Sequence, residues 1–421
     1  VIERNIPEMN EAREFDLVLM GATGFTGRLV AEHLLARHGA EGDLKWALAG
    51  RNLDKLAEVR KGLGDAAQAL PLIQADSHDR ASLDALVART RLVLTTVGPY
   101  ALHGQTLVAA CAESGTDYCD LTGEVPFMRE VIDANEAAAK ASGARIVHCC
   151  GFDSIPSDVG VWFLQQAARK QFGQPLTRMR LRVKAAKGGL SGGTFASMLN
   201  IVEQARANPE LGKVLKNPYA ICPPEHRKGE RQPYVNGPKF DPVLKSWTAP
   251  FIMAAINTRV VHRANALQDH AYGENFRYDE AVLTGPGFGG RVKATTLSLG
   301  MGGFALGASL APTRKLLQKL ALPKPGEGPS KAQREAGFFN IIIAGETADG
   351  KRLRARVKGD RDPGYGSTSK MISETAVLLG QTSHETTPGG FWTPATALGQ
   401  ALVERLAEHA GVTFTLDQKS A

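Results

Sequence analysis

Short apolar runs without polar alternation punctuate the first part of the chain, at 16–20, 44–49, 70–74, 92–97, 117–120 and 145–149. Runs of this length and character are strands buried on both faces, as in a parallel sheet. Each gives way to turn-forming residues: Gly21, Gly50-Arg51-Asn52, Asp76, Gly98-Pro99, Thr122-Gly123 and Gly151. Between them the apolar positions fall at helical spacing, first at Leu29, Val30, His33, Leu34 and Leu35, then over 53–61, 80–89, 105–114 and 127–142. Strand and helix in strict alternation predict a doubly wound parallel α/β sheet over 14–150. After Cys150 the period changes. Residues 176–183 alternate apolar and basic, and 339–347 and 351–358 flank an Asp349-Gly350 turn signal, which predicts a hairpin. A second, mixed-sheet α+β domain over 151–385 is expected, with helices at 367–379 and 395–408 and a Pro/Gly loop at 323–330 that can lie over a site.

The turn after the first strand carries candidate chemistry. Gly21, Gly24 and Gly27, with Thr23, Phe25 and Thr26 between them, stand where a strand enters a helix. A sharp turn and close approach of the backbone to a pyrophosphate both require glycine, and the helix N-terminus then faces the anion. The bland alternative is a tight turn with no ligand. Strand, glycine triplet, helix and second strand fall in the order of a Rossmann unit. The second strand ends in Arg51-Asn52, with Lys55 one turn on, and no acid stands where NAD needs one for its ribose. A guanidinium there suits a 2′-phosphate, so NADP(H) is the expected cofactor and NAD the lesser alternative. Asp76 and Ser77, after the third strand, either touch the adenine or cap a helix. Val97, Gly98 and Pro99 end the fourth strand near the expected nicotinamide.

Charge narrows the partners. The chain has 421 residues and a formal net charge of +7, which favours anionic ligands or surfaces. No zinc spacing or recognition motif accompanies it, so neither nucleic acid nor a metal is expected. Five cysteines without a CxxC pair fit buried thiols in a reduced, cytoplasmic setting. No signal-peptide pattern is read at the start. No apolar run convincingly reaches transmembrane length; the nearest, 294–311, is Gly-rich and followed by Arg314, Lys315 and Lys319. It is either a buried helix or a greasy lid or peripheral contact at the inner face of a membrane. Arg178, Arg180, Arg182 and Lys184 share one strand face, and Arg352, Arg354, Arg356 and Lys358 another. If these strands share a sheet, its outer face is a positive patch that can dock an acidic acyl carrier protein or anionic lipid; solvated faces paired with acids are the alternative. A homodimer is a further expectation.

The motifs GATGFTGR at 21–28, AGRN at 49–52, Gly98–Tyr100, YCDLTGE at 118–124, GFDSIPSD at 151–158, PGEGPS at 325–330 and DPGY at 362–365 resemble the saccharopine dehydrogenase-like oxidoreductases. The nearer branch holds the mycobacterial trans-acting enoyl reductases and the animal saccharopine dehydrogenase-like proteins. The resemblance spans nearly the whole chain, and it implies that 386–421 returns to the first domain. It implies an NAD(P)H-dependent oxidoreductase, an enoyl or carbonyl reductase acting on a lipid-like or acyl-thioester substrate. A saccharopine-type amino-acid dehydrogenase and a non-catalytic dinucleotide- and lipid-associated binding protein stay as alternatives.

Hydride transfer needs a proton donor or polarising group from the protein. Tyr100, Glu124 and Asp153 follow strands at the edge where the nicotinamide is expected, and Tyr365 follows the Pro363-Gly364 turn. These four are the catalytic candidates; each has a structural alternative, a half-buried tyrosine or a helix cap. Asp158 and Ser157 read rather as the capped start of a helix with Pro156 in its first turn. The turn at 191–194 can hold a carboxylate or thioester oxygen, or simply cap a helix.

Overall fold

The structure is a computed structural model and describes residues 13–188, 197, 199–201, 203–204, 208–309, 312–313 and 328–417. Its first sheet has seven strands, all parallel: β1 (Phe15–Met20), β2 (Trp46–Gly50), β3 (Leu72–Gln74), β4 (Thr90–Thr95), β5 (Asp117–Cys119), β6 (Arg145–Val147) and β13 (Gly390–Trp392), in the order β13-β6-β5-β4-β1-β2-β3. The buried runs of the sequence supply these strands because both faces are covered. Leu17 and Leu19 point into one core with Leu34 and Met371, while Val18 and Met20 point into another with Leu83, Val108 and Met128. The helices between them are α1 (Phe25–His38), α2 (Leu53–Gly62), α3 (Arg80–Val87), α4 (Tyr100–His103), α5 (Gln105–Ser114) and α6 (Val125–Ser142). Glycine in the left-handed region closes α5 at Gly115 and α6 at Gly143, where a side chain would be strained.

The second sheet is mixed. It runs β14 (Val412–Leu416), β12 (Arg352–Gly359), β11 (Phe338–Glu346), β7 (Arg178–Lys187), β10 (Arg277–Gly285), β9 (Ser246–Pro250) and β8 (Lys239–Asp241). Only β7 and β10 pair in parallel; the hairpin expected at 339–358 is the antiparallel β11–β12 pair. Leu181, Ile341, Ile343 and Val357 line its inner face against α7 (Ile155–Phe172), and this core is continuous with one face of the first sheet. The expected fold class holds.

The segments cross between the sheets more than the sequence suggests. Of the stretch 386–421, β13 extends the first sheet while β14 pairs with β12 in the second. The helix Thr368–Gln381, from the segment assigned to the second domain, packs against α1, β1, β4 and β5. Of the apolar stretch 294–311, residues 294–309 continue the helix Gly287–Ser309, which exposes Phe288 and Leu299. Among the described residues no helix is long and apolar enough to cross a membrane. The basic residues at 314, 315 and 319 and the turn at 191–194 lie outside the described residues, as do 323–327 of the Pro/Gly loop. All five cysteines are buried and unpaired.

Candidate active site

The strand order reverses at β1, whose neighbours are β4 and β2, so a crevice opens there at the carboxyl ends of the strands. The turn after β1 is shaped by two glycines. Gly21 has φ +92°, and a Cβ on it would lie 2.7 Å from Val97 Cγ2. A Cβ on Gly27 would lie 2.2 Å from the Gly21 carbonyl oxygen, so the helix can start against the strand only with glycine there. Gly24 is the N-cap of α1. It offers no side-chain acceptor, and the first turn holds no acid. The first N–H groups of α1 and its dipole therefore face outward, unmatched by any carboxylate of their own helix. Thr23 and Thr26 flank this opening, and Arg28 folds back onto the Thr23 carbonyl. The cradle fits a pyrophosphate.

Arg51, at the end of β2, is exposed and has no ion-pair partner among the described residues. Its carbonyl accepts from Gln74, which ties the ends of β2 and β3 together. Asn52 caps α2 by accepting from the Lys55 N–H at 2.9 Å. Arg51, Asn52 and Lys55 thus stand together at the end of β2 and the start of α2. Asp76 does not cap α3; Asp79 does, while Asp76 accepts from the His78 N–H and stays half-buried beside Ser77. The Asp76 carboxylate turns back onto the loop because the helix starts only at Arg80, four residues further on.

The edge beyond β4 and β5 holds two of the catalytic candidates in fixed hydrogen bonds. Tyr100 is 5% exposed; its hydroxyl donates to the Thr95 carbonyl at 3.2 Å and accepts from the Leu121 N–H at 3.1 Å. Burial, and then Asp120, push its ionisation far up. It ties β4 to β5. Glu124 is fully buried. Its carboxylate accepts from the N–H groups of Tyr100 (2.8 Å) and Ala101 (2.9 Å), the first turn of α4, and from the Ser197 hydroxyl at 2.7 Å. It holds the start of α4 and with it the Val97-Gly98-Pro99 loop.

Asp120 organises the next loop, a role the sequence did not reveal. One oxygen accepts from the N–H groups of Thr122 and Cys149, the other from the Tyr118 hydroxyl and His148 Nδ1 at 2.7 Å. His148 Nε2 is buried with no partner among the described residues. Cys149 takes φ +63°, and its N–H and thiol both reach the β5 loop. The loops after β5 and β6 are thereby laced together. On them sits Asp153, half-buried, with no hydrogen bond to its carboxyl among the described residues. Burial first, and Asp120 second, push it up to about 7.

GFDSIPSD departs from the expected cap. The N-cap of α7, Ser154, makes no capping bond and instead donates to Asn257 Oδ1. Asn257 donates to Glu280, which also accepts from the Tyr278 hydroxyl. Asp158 accepts from the Ala395 N–H at 2.8 Å and so holds the start of the helix Pro394–Arg405, with burial pushing its carboxyl up to about 7. The second unit closes on the glycine turn through Phe25. Tyr365 meets its ring edge-on at 4.9 Å, Arg334 lies over it at 5.5 Å, and a Cβ on Gly328 would stand 2.4 Å from it. Asp362 braces Tyr365 by accepting from the N–H groups of Tyr365 and Gly366. Tyr365 therefore stands by the first turn of α1, while Glu124 and Asp153 belong to the laced loops after β5 and β6.

Residues 17–147 match the saccharopine dehydrogenase NADP binding domain family. Over 96% of this chain and 99% of the other, the fold is that of a saccharopine dehydrogenase (L-Glu forming) from Saccharomyces cerevisiae, with TM-score 0.52 at 14% identity. The matched NADP-binding domain marks the chain as an NADP(H)-binding oxidoreductase of the saccharopine dehydrogenase-like class. A trans-acting enoyl reductase of Mycobacterium ulcerans is 38% identical over 408 residues, which cover 94% of this chain and 96% of the relative. A Mycobacterium tuberculosis relative, provisionally given the same name, is 45% identical over 415 residues, 96% of this chain and 97% of its own length. The chain belongs to this trans-acting enoyl reductase family.

Proposed function

We propose that the protein reduces the carbon–carbon double bond of an enoyl thioester with NADPH, acting in trans on an acyl chain held by a partner protein, and that Asp153 gives the proton. The pyrophosphate rests on the turn from Gly21 to Gly27, Arg51 takes the 2′-phosphate, and Val97–Pro99 borders the nicotinamide. When bound, the cofactor supplies a hydride to the β carbon. The chain must then supply a proton at the α carbon and keep water away. The names of the relatives support the enoyl substrate. The observation that carries the assignment of the acid is the state of Asp153. Tyr100, Asp120 and Glu124 have their oxygens committed to backbone or neighbouring side chains. Asp153 has no such bond and, at about 7, holds its proton in a large share of molecules at neutral pH.

The same environment argues against a substrate bearing several carboxylates. Among the described residues no cation pairs with Asp153, and its shift comes from burial and Asp120, surroundings that favour a neutral acyl group over an amino acid. The test mixes the full chain with NADPH and follows cofactor absorbance against 2-enoyl thioesters, then against saccharopine precursors. Oxidation with the thioesters alone is expected. Turnover with the precursors only would overturn the reading, and so would tight NADPH binding without turnover on either panel.

A further inference from the structure

The outer face of the second sheet carries arginines in rows. The register sets Arg178, Glu346 and Arg352 side by side across β7, β11 and β12, then Arg180, Ala344 and Arg354, then Arg182, Ile342 and Arg356. Because side chains alternate along a strand, all of these share the face opposite the core. Part of the charge is spent at home. Arg178 pairs with Asp279, Arg182 with Asp241 and Asp279, Arg352 with Glu346 and Arg356 with Asp417. Arg180 makes no ion pair among the described residues, although Asp241 and Asp279 act on its charge from further off, and Arg354 donates to the Val243 carbonyl. Arg231, exposed nearby, has no acidic partner among the described residues either.

Two open depressions meet at Arg180. One, of about 620 Å³, is walled by Phe172, Val243, Arg352 and Arg354; the other, of about 400 Å³, by Arg178, Arg231 and Arg277. Burial first and Arg178 second disfavour the charge on Arg180, and the opposing pull of Asp241 and Asp279 does not cancel them, so an incoming anion eases a charge that the free protein leaves under-compensated. The face runs toward the catalytic crevice. Lys187 ends β7, and a Cβ on the next residue, Gly188, would touch Asp362 and Pro363 of the loop that seats Tyr365 on Phe25. At a rise of roughly 3.3 Å per residue, the row of Arg182 lies about 20 Å from that loop.

We infer that this arginine face docks the acidic surface of the carrier domain that brings the acyl thioester, with the acyl group reaching the crevice on the carrier's flexible arm. The inference rests on the enoyl reductase reading. Other occupants fit less well. A second copy meeting the same face about a two-fold axis would set Arg180 and Arg231 against arginines. A membrane needs exposed apolar side chains, and the two most exposed of the large ones, Phe288 and Leu299, stand on the helix Gly287–Ser309 instead; those nearer the sheet, Tyr234, Phe240 and Phe338, are less exposed. A single-stranded nucleic acid needs stacking platforms, whereas the aromatic side chain in the larger depression, Phe172, lies beneath Lys351.

The test uses the full chain with NADP(H) and an isolated acyl carrier domain of net negative charge bearing a 2-butenoyl-pantetheine thioester. Carrier binding is read by fluorescence anisotropy, independently of turnover. In R180E/R231E binding is expected to weaken about tenfold or more, with KM for the carrier-borne thioester rising in parallel. The free 2-butenoyl-pantetheine thioester should show no matching rise. Should R180E/R231E fail to fold, the wild-type protein serves: carrier affinity falls severalfold between low and physiological salt, while KM for the free thioester does not follow. Carrier binding indifferent to both charge reversal and salt overturns the inference, as does equal loss on carrier-borne and free substrate. Binding of anionic vesicles or single-stranded DNA in place of the carrier overturns it too. Lack of turnover on the free thioester counts against the enoyl reading, whereas the anisotropy result judges the docking face by itself.

Discussion

Gly24 separates the demands of the fold from those of the cofactor. The fold does not need a glycine there: φ −74° and ψ 163° are open to any residue, and a Cβ would meet only the Gly21 carbonyl oxygen, at 3.4 Å, an ordinary contact. Replacing the N-cap glycine by alanine costs about 1 kcal/mol of helix capping. Loss of chain freedom in the unfolded state returns roughly 0.4–1 kcal/mol. Gly24→Ala should therefore leave the stability of the free protein within about 1 kcal/mol of wild type. The added methyl, however, stands at the opening of the first turn, between the N–H groups of α1 and an incoming pyrophosphate. Each charge-assisted hydrogen bond lost there is worth roughly 1.5–3 kcal/mol, so NADPH affinity should fall tenfold or more. Gly27→Ala should behave in the opposite way, because its Cβ meets the Gly21 carbonyl oxygen at 2.2 Å and the Ala22 Cα at 2.9 Å, backbone that cannot swing aside. That variant should lose stability before binding is even measured. Thermal unfolding of the cofactor-free proteins and titration of NADPH fluorescence give the two readouts. Gly24→Ala binding NADPH as tightly as wild type would refute the placement of the pyrophosphate; early unfolding of that variant would refute the reading of the turn.

Three further outcomes follow from the site. Arg51→Ala should lose roughly tenfold to a hundredfold in NADPH affinity and leave NADH affinity unchanged, as competitive titrations of the two cofactors can show. Asp153 acts as an acid only while protonated, so kcat should fall as pH rises through about 7. Asp153→Asn should lower kcat by roughly 10²-fold or more and erase that limb of the pH profile; a variant that keeps the limb assigns the proton elsewhere. Glu124→Gln sets an amide donor against one of two backbone N–H groups, which costs about 1–3 kcal/mol. It should lower Tm and raise KM for NADPH while the limb near pH 7 persists, since that limb belongs to Asp153.

The first sheet was legible because its strands are buried on both faces and its turns carry the residues that turns require. The runs around Val18, Leu48 and Val93 leave little choice of structure once each is followed by a helical pattern. The second unit was legible in its hairpin and in the parity of its arginines, since alternate positions on a strand share a face whatever the partner strand is. Which sheet a segment joins was not legible. The helix Thr368–Gln381 shows an apolar stripe, but a stripe does not say what covers it, and its cover is the first sheet. The same holds for β14, whose five residues fit either sheet by pattern and pair with β12 by tertiary choice.

The catalytic candidates show the limit more sharply. Sequence order puts Tyr100, Glu124 and Asp153 after strands at one edge, but it says nothing of the direction in which each polar atom points. Burial decides that. A polar group taken out of water must be satisfied by the protein, so Tyr100 spends its hydroxyl on two strand ends and Glu124 its carboxylate on the start of α4. Asp120 accepts from His148 Nδ1 for the same reason, though His148 Nε2 finds no partner among the described residues, and Asp120 is the charge that disfavours ionisation of Asp153. The committed groups build the loops, and their cost is met by hydrogen bonds that leave nothing over for a substrate. Asp153, half-buried beside a satisfied carboxylate, is left with a proton and no internal acceptor for it. The reactivity proposed for Asp153 is therefore set by its neighbours' commitments as much as by its own position, which is why Tyr100, Glu124 and Asp153 read alike in the sequence and differ in what their polar atoms meet.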